Sequence, residues 1–572
     1  MGGFYLILKN NSSGDKLNLI DKQKGLDVFY KKGLKLNKKI ISTHFDIFTF
    51  YKKYHDTENT FFFDNDDFVV TVGTFFYKKK TGVEGVSEFY NDYKNKREWI
   101  LNFNGQFGLV IYIDGKLSIM NDHLGLYQIF YNTEQTIFSN SFLSVAKSVR
   151  DKDVSIQELY EYIFTGSTYG NKTIYKNIRI LDREEIKEVF PLSTTIPKRL
   201  PNLDYHGESE LNVLVELVTN DLKSYFEMLK NNFGENFSAA LSGGYDSRLM
   251  LALMMNVGVN PLLYVSGNKT SSDVKIAKLI SEKENLLLDV YYNEDIPKLS
   301  EDDFIEFMIS KFYLNDGLGS KGLFLTTSNM DLLTTQKRLL NLNGGGGEIY
   351  RDFWKLLNKQ YSLLQFVKSK YDIIEMKYCS KQFHKEKYLS TLASKIKTAL
   401  KFSEDVVTRQ EVDAIYPFFR VRFWMSGVNK RLNYLSNAIW PFADWELVEK
   451  SKKIPVKYKF FGTFEAELIK YISPQLAKYT SNYGFNFSDP LPNIYKFKTI
   501  LLNNIPIALR PFLRKQKAKI RKQLPYYFSK EYIDPLVGKR PYILESYIDT
   551  NYPDMEVLSR IYTLELLISD RI

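Results

Sequence analysis

Cysteine is almost absent from this chain of 572 residues, because Cys379 is the single example. One thiol cannot form an internal disulfide, and the five scattered histidines lack the spacing of zinc ligands, so disulfide scaffolds and zinc enzymes are disfavoured. Long apolar runs are missing as well: stretches such as Phe4–Leu8 are far shorter than the roughly 20 residues that span a bilayer. The N-terminal residues lack a basic region followed by a long apolar segment, and we therefore expect a cytoplasmic protein.

The chain does contain an ordinary globular balance of residues, with 44% hydrophobic and 25% charged. That balance supplies enough apolar side chain for a sizeable core, and the length indicates more than one domain. Lysine and arginine exceed aspartate and glutamate by 11, a surplus that favours the approach of a polyanion or an acidic substrate. A polar, proline-bearing stretch at 191–204 is the predicted boundary between two halves.

The order of predicted elements indicates an α/β protein whose two halves differ. The first half is β-rich, with strands predicted at 68–77 and 105–114. After a long amphipathic helix predicted at 208–231, strands and helices alternate from 237 to 291. This alternation predicts a doubly wound parallel sheet, in which ligands bind beyond the carboxyl ends of the strands. The remainder of the chain is predicted to be mainly helical.

One short segment carries the strongest chemical signal, Ser242-Gly243-Gly244-Tyr245-Asp246-Ser247, at the predicted end of a strand and the start of a helix. Backbone N–H groups of a glycine turn and of a helix N-terminus form an anion site, to which Ser242 and Ser247 add hydroxyl donors. Asp246 would repel a bound phosphate unless a divalent cation lay between them, so the segment predicts magnesium and a nucleotide phosphate. The alternative is an ordinary turn in which Asp246 or Ser247 caps the helix.

The same segment carries a resemblance to a known family. Residues 240–247 resemble the pyrophosphate loop of the ATP pyrophosphatases, in their asparagine synthetase branch, and 264–267 with 272–278 resemble the next strand and helix. Downstream, 441–444 is similar to a further landmark of that branch, "PFLD". The resemblance implies activation of a carboxylate by Mg-ATP, release of pyrophosphate, and amide formation when an amine displaces AMP. It implies that adenosine lies near Leu241, Val265 and Gly267, and that pyrophosphate and metal are bound by Ser242, Gly243, Gly244, Asp246 and Ser247.

The first half resembles the glutaminase domain of the same family, an Ntn-hydrolase-like αββα sandwich. The residues that carry this resemblance are 103–108, Asp122, Gly125 and Tyr131. A working glutaminase of this family uses a cysteine at position 2 as its nucleophile, whereas this chain has Gly2. The chain therefore resembles the glutaminase-deficient type, such as β-lactam synthetases and lasso-peptide cyclases, and ammonia from glutamine is not expected. The first half is predicted to be a structural relic or a platform for substrate.

A second departure from the family lies at 343–351, which resembles a segment that supplies a glutamate and a magnesium-binding aspartate. Gly344 and Gly347 stand at the acidic positions, and only Glu348 remains. We expect Glu348 to take over metal binding, with Asp246 as the other ligand. The alternative is a flexible glycine loop in which Glu348 simply starts a helix.

A third departure is the absence of the family's lysine near 462–464, where a cation stabilises the adenylate and its transition state. Lys457 or Lys459 is expected to supply that cation, with Arg420 and Arg422 as further candidates. Each of them is alternatively a surface or packing residue, because most lysines and arginines are solvated.

Taken together, these features predict an Ntn-like domain at 1–200 and an asparagine synthetase-like adenylating domain at 207–572. The predicted function is an AMP- and pyrophosphate-forming ligase that uses ATP and Mg²⁺ to couple a small-molecule or peptide carboxylate to an amine. The alternatives are an ammonia-dependent amidotransferase of surface-polysaccharide biosynthesis and a non-catalytic scaffold that binds a nucleotide or a peptide. The basic run at 514–522 is either a solvated helix face or a contact for a peptide, a carrier or a membrane surface, with nucleic acid less favoured.

Overall fold

The computed structural model describes residues 2–9, 21–205, 207–325, 327–328, 330–513 and 524–572. The basic run predicted at 514–522 therefore lies outside the described residues. In the first half the strands are β1 (Gly3–Leu8), β2 (Leu36–Ile41), β3 (Phe45–Phe50), β4 (Thr60–Phe62), β5 (Phe68–Tyr77), β6 (Phe103–Ile113), β7 (Lys116–Asn121), β8 (Phe130–Asn132), β9 (Ile137–Ser139), β10 (Ile178–Ile180), β11 (Glu185–Phe190) and β12 (Thr194–Pro197). The helices of this half are α1 (Lys22–Lys31), α2 (Gly82–Lys94), α3 (Phe142–Ser148) and α4 (Ile156–Thr165).

These strands form two antiparallel sheets, in the orders β10-β8-β9-β1-β3-β2 and β12-β11-β7-β6-β5-β4. Their facing side chains, such as Leu6, Val70 and Val110, bury one apolar core between the sheets. On the outer face of the second sheet Phe89 of α2 packs against Tyr77 and Phe103, and α1 and α3 pack near the first sheet. The layer order of this half is therefore helix, sheet, sheet, helix.

The second half contains the strands β13 (Phe237–Ala240), β14 (Leu262–Gly267), β15 (Leu288–Tyr292), β16 (Leu340–Leu342), β17 (Tyr361–Ser362), β18 (Val406–Val407) and β19 (Asn437–Ile439). Its helices are α5 (Leu211–Phe233), α6 (Tyr245–Asn256), α7 (Ser272–Lys283), α8 (Glu301–Leu314), α9 (Met330–Thr335), α10 (Leu363–Tyr371), α11 (Lys385–Leu400), α12 (Arg409–Ile415), α13 (Ser426–Leu435), α14 (Trp445–Ser451), α15 (Val456–Lys459), α16 (Thr463–Ile472), α17 (Pro474–Lys478), α18 (Asn493–Asn504), α19 (Lys530–Val537) and α20 (Met555–Ile568). A π-helical stretch, Tyr416–Met425, joins α12 to α13.

The centre of this half is a five-stranded parallel sheet in the order β15-β14-β13-β16-β19. The mixed α/β class and the parallel sheet predicted from the alternation at 237–291 are both confirmed. The strand order reverses at β13, because β14 and β15 follow on one side and β16 and β19 on the other. A crevice opens beyond the carboxyl ends of the strands at such a reversal.

The two halves are joined by direct hydrogen bonds. Gln106 of β6 accepts from the Trp440 N–H at 3.0 Å and donates to the Trp440 carbonyl at 3.2 Å. Asp444 accepts from the Gly105 N–H at 3.0 Å, and burial raises the pKa of this carboxyl to about 7. The predicted boundary at 191–204 differs from expectation in one respect, since it contains the edge strand β12, which pairs with β11.

Along the described ranges, the structure contains no helix both long enough and apolar enough to cross a bilayer.

Candidate functional site

The candidate site lies where the chain leaves two neighbouring parallel strands. β13 and β16 are adjacent and parallel, so the loops that follow them emerge at the same edge of the sheet. The first loop carries Asp246 and the second carries Glu348, although the two residues are 102 positions apart. The topology alone therefore brings these two carboxylates together at the reversal of strand order.

The loop after β13 is closed by its own serines and requires a glycine. The hydroxyls of Ser242 and Ser247 are 3.0 Å apart, and the Ser247 hydroxyl accepts from the Ser242 N–H at 3.1 Å. A Cβ at Gly243 would come within 3.0 Å of Ile276 and Asn482, so no side chain fits there. The loop runs into α6 with Gly244 as its N-cap, and no side chain caps that helix. The turn and the helix start predicted from the sequence are thus present.

Asp273, at the start of α7, places a carboxylate on this loop. The Gly243 N–H donates to Asp273 Oδ1 at 2.8 Å, and the Asn482 side chain donates to the same oxygen at 3.3 Å. The loop amide therefore already binds an anionic oxygen, supplied by the chain itself. A phosphate that used this N–H would compete with Asp273.

Arg351 lies at the centre of a cluster of three acidic side chains. Its guanidinium is 2.5 Å from Asp246 Oδ2 and 3.3 Å from Glu348 Oε1. Its Nε is 2.8 Å from Oε2 of Glu465, which is carried by α16. The hydroxyl of Tyr416 donates to the other oxygen of Glu348. We call Asp246, Glu348, Arg351 and Glu465 the acidic cluster.

One guanidinium cannot neutralise three carboxylates, so the acidic cluster favours a bound proton. Glu465 is fully buried, whereas the side chains of Asp246 and Glu348 each keep 22% of their exposure. Burial and the negative charge of Asp246 raise the pKa of Glu465 well above its ordinary value. Burial also raises the pKa of Asp246, to about 6, against the opposing effect of Arg351. The proton therefore resides mainly on Glu465.

Gly347, one of the two glycines at which an acidic residue was expected, lies directly against the carboxylate of Asp246. A Cβ at Gly347 would lie well inside 3.0 Å of Asp246 Oδ1, so the Asp246 carboxylate fills the space that a side chain at 347 would need. Asp246 can therefore hold this position only while residue 347 has no side chain. The glycine is visible in the sequence, but its contact with Asp246 comes only from the structure.

The acidic cluster has donor groups suited to Mg²⁺, since that ion prefers carboxylate oxygens. Asp246 Oδ1 is buried and has no hydrogen-bond partner among the residues that the structure describes. Arg351, however, stands between Asp246 and Glu348 in this structure. Over the described ranges, no group of three or more His, Cys, Asp or Glu side chains has the arrangement of a preformed metal site. The residues therefore suit Mg²⁺ in the type of ligand that they offer. A bound metal would have to displace the guanidinium of Arg351 or bind beside it.

The predicted cations differ in where they lie. Lys459 is buried, donates to the Ser451 carbonyl at 3.1 Å, and lines a small cavity together with Glu348 and Arg351. Burial lowers the pKa of Lys459. Lys457 is exposed, with its ammonium 4.8 Å from the ring centre of Tyr458. Lys459 thus adjoins the acidic cluster, whereas Lys457 lies on the surface.

The two arginine candidates have other partners than the acidic cluster, although Arg420 lies 5.8 Å from the ring of Phe353, which lines the same small cavity as Glu348 and Arg351. Arg420 lies over the Trp424 ring at 4.9 Å. Arg422 is buried 3.7 Å from Asp182 of the first half, and burial lowers its pKa to about 10.

The residues predicted near adenosine lie at or close to the carboxyl ends of β13 and β14. Leu241 and Val265 are almost completely buried, so only their main chain could face a nucleotide. The Leu241 N–H donates to the Tyr264 carbonyl at 2.9 Å. Gly267 is the last residue of β14, and a Cβ there would come within 3.0 Å of the Ser271 hydroxyl.

At the predicted glutaminase position, Gly2 leaves no room for a side chain. Its N–H donates to the Phe50 carbonyl at 3.1 Å, and a Cβ would lie well inside 3.0 Å of the Tyr51 carbonyl oxygen. A cysteine at this position would therefore require the main chain to move.

Sequence reasoning missed three members of the site: Arg351, Glu465 and Asp273. Arg351 lies within 343–351 and Glu465 directly follows 462–464, two segments compared with the family above, but nothing in their spacing indicates that they meet. Asp273 opens a predicted helix, and an acidic residue there is also typical of a helix N-terminus. Its contact with Gly243 depends on the packing of α7 against the loop.

No protein-family model and no curated protein sequence matches the chain. Among solved structures, the allosteric regulatory enzyme of purine biosynthesis aligns with 53% of this chain and 69% of its own, at 9% identity and a TM-score of 0.21. Glutamine phosphoribosylpyrophosphate amidotransferase from B. subtilis, complexed with ADP and GMP, aligns with 51% of this chain and 65% of its own, at 8% identity and a TM-score of 0.20. Scores this low carry no argument about fold or activity.

Proposed function

We propose that this chain is a carbon–nitrogen ligase that activates a carboxylate with ATP, releases pyrophosphate, and couples the acyl group to an amine without using glutamine. The observation that carries the proposal is the convergence of the loop Ser242–Ser247 and the acidic cluster at the reversal of strand order. An anion-binding loop beside carboxylates is the combination that a metal-bound phosphate requires. The resemblance to glutaminase-deficient members of the asparagine synthetase family supports the same activity, and with it the Ntn-like assignment of 1–200.

The proposed chemistry has two balanced steps. A substrate carboxylate oxygen attacks the α-phosphorus of ATP, the bond from that phosphorus to the bridging oxygen breaks, and pyrophosphate leaves. An amine nitrogen then attacks the acyl carbon, the bond to AMP breaks, and the amine proton passes to a base. Because the protein adds little covalent chemistry to such a transfer, its contribution is to position the reactants and to stabilise the charge on phosphate.

Each residue of the site has a place in this scheme. Ser242, Ser247 and the loop amides would bind the pyrophosphate oxygens. Asp246 and Glu348 would hold Mg²⁺, which when bound neutralises phosphate charge. Arg351 supplies a permanent cation where the family lysine is missing, and Lys459 lies beside the cluster as a second cation.

The carboxylate need not be known before the proposal can be tested. Exchange of labelled pyrophosphate into ATP requires only magnesium, a carboxylate that is adenylated, and reversal of the first step. We expect exchange with one member of a panel of amino acids, peptides and hydroxy acids. Asp246→Asn should abolish it, because the variant loses a carboxylate that faces both Arg351 and the proposed metal.

The matched control is Asp289→Asn. Asp289 has a side-chain exposure of 31%, close to that of Asp246, and pairs with Lys337 at 2.8 Å, outside the acidic cluster. Exchange that survives Asp246→Asn, or that is lost equally in both variants, would contradict the proposed role of the site.

A non-catalytic nucleotide-binding scaffold is the second candidate, and two contacts favour it. Asp273 accepts from the Gly243 N–H, and Arg351 stands between the two proposed metal ligands. Saturable binding of ATP in isothermal titration, with no exchange across the whole carboxylate panel, would support the scaffold in place of the ligase.

A further inference from the structure

Helix α18 and the turn that follows it expose a concentration of large apolar side chains. Ile494, Phe497 and Leu501 of α18 are 70%, 62% and 54% exposed, and Phe512 after the helix is 61% exposed. Single exposed apolar residues are normal on a protein surface, whereas a contiguous group of this size marks an interaction site. We call the exposed side chains of residues 493–513 the apolar surface.

The three named side chains that belong to α18 share one face of the helix, and the helix is held by its opposite face. Ile494, Phe497 and Leu501 are spaced i, i+3 and i+7, which places them in one row. On the other side the Tyr495 ring packs 4.8 Å from that of Phe485, and Asn503 is buried. The helix is therefore anchored in the protein while its apolar row faces outward.

The charge of the chain is concentrated in the same stretch. Residues 490–530 contain ten lysines and arginines and no aspartate or glutamate, whereas the other 531 residues have 68 basic and 67 acidic side chains. Almost the whole positive surplus of the protein thus lies within 41 residues. Lys498 is exposed next to Phe497, and Lys496 precedes it. Six of these ten residues lie at 514–522, outside the described residues, and the structure itself places Lys496 and Lys498 on the helix that carries the apolar row.

We propose that the apolar surface docks on a lipid bilayer that contains anionic phospholipids. Interfacial helices of this kind bury an apolar face at the boundary of headgroups and acyl chains while flanking lysines contact the lipid phosphates. A nucleic acid would be served by the charge and could stack on the rings of Phe497 and Phe512, but it has no use for the exposed Ile and Leu side chains, which cannot stack on bases. An acidic bilayer satisfies both properties of the surface.

Docking would also bring the candidate site close to the bilayer. Tyr495, on the inner face of α18, lies 6.2 Å from Tyr483, whose ring is 5.2 Å from that of Tyr245 in the loop after β13. One helix therefore separates the proposed lipid contact from the loop. The docking proposal itself does not depend on the proposed ligase activity, since it rests on the outer face alone.

Co-sedimentation of the full chain with vesicles tests this inference. We expect binding to vesicles of phosphatidylcholine mixed with phosphatidylglycerol, and little binding to phosphatidylcholine alone. Phe497→Ser combined with Phe512→Ser should abolish binding without disturbing the fold, because both rings are exposed. The matched control is Phe62→Ser, which removes a ring of 56% exposure from β4 in the other half.

The charge is tested separately by Lys496→Glu combined with Lys498→Glu. At about 1 kcal/mol for each basic residue near an anionic surface, partitioning should weaken by about 30-fold or more. Lys275→Glu, an exposed lysine of α7, is the control and should have a far smaller effect.

Three results would overturn the inference. One is equal binding to neutral and anionic vesicles, or no binding to either. Another is binding to labelled single-stranded DNA that persists in the double variant Phe497→Ser, Phe512→Ser. That result would assign the positive charge to the binding of nucleic acid. The third is self-association, measured by sedimentation velocity, that the same double variant abolishes. That result would assign the apolar surface to contact with a second copy of the chain.

Discussion

Replacement of Arg351 by methionine is the sharpest test of the electrostatics of the candidate site. The guanidinium lies within 3.3 Å of Asp246, Glu348 and Glu465. A methionine side chain keeps part of the length of the arginine side chain but has no charge. Removing one partner of a fully buried ion pair costs about 3–5 kcal/mol. Because Asp246 and Glu348 retain some contact with water, we expect the free energy of unfolding to fall by about 2–3 kcal/mol near neutral pH.

The loss should depend on pH in a definite direction. Burial raises the pKa of Asp246 to about 6 and raises that of Glu465 as well, so the folded protein keeps protons that the unfolded chain releases. A carboxyl group of this kind contributes less stability as the pH rises from its unfolded pKa, about 4, through its folded pKa. Without Arg351 both pKa values rise further. The destabilisation of Arg351→Met is therefore expected to be small near about pH 5 and full near about pH 8.

Urea unfolding of the full chain at both pH values measures this difference as a shift of the midpoint. Glu465→Gln is the companion variant, because glutamine resembles the protonated form of Glu465, and its midpoint should stay close to that of the unmodified protein. An equal loss for Arg351→Met at both pH values would show that the arginine acts through packing. A midpoint for Glu465→Gln as low as that of Arg351→Met would show that Glu465 is charged.

Two further predictions concern the loop and the first half. Asp273→Asn should strengthen pyrophosphate binding several-fold in isothermal titration, because it removes the negative charge that accepts from the Gly243 N–H; weaker binding would mean that Asp273 orders the loop for its ligand. Gly2→Cys should not release glutamate from glutamine and should lower the thermal midpoint, because its Cβ would collide with the Tyr51 carbonyl; glutamate release at an unchanged midpoint would contradict the steric argument.

The parts of the fold that sequence could predict are those set by local pattern. The strand predicted at 68–77 is β5, Phe68–Tyr77, and the helix predicted at 208–231 is α5, Leu211–Phe233. Alternation of strands and helices also predicted the parallel sheet, and with it the edge at which the loop carrying Asp246 emerges. Short-range periodicity and turn residues suffice for these features, because each is decided within one or two elements.

The contacts of the site could not be predicted in the same way. Arg351 pairs with Asp246 across 105 positions, and Glu465 reaches the same guanidinium from α16, so the cluster exists only after several elements have packed. The interpretation of Gly344 and Gly347 as lost acidic positions rests on residue types alone and stays a prediction. What it lacked was the shape of the site, in which Asp246 occupies the space beside Gly347.

The charge of the acidic cluster bears on how a metal and a nucleotide would bind. If Glu465 holds a proton, the two negative charges of Asp246 and Glu348 face the one positive charge of Arg351. The cluster then has a net charge of minus one. A lone nucleotide phosphate would be repelled by that charge, and a lone divalent cation would meet the guanidinium between its two ligands. A metal already bound to phosphate would meet neither obstacle, because Arg351 could pair with the phosphate oxygens while Asp246 and Glu348 held the metal. The proposed ligase should therefore bind Mg²⁺ and ATP cooperatively, each weakly without the other.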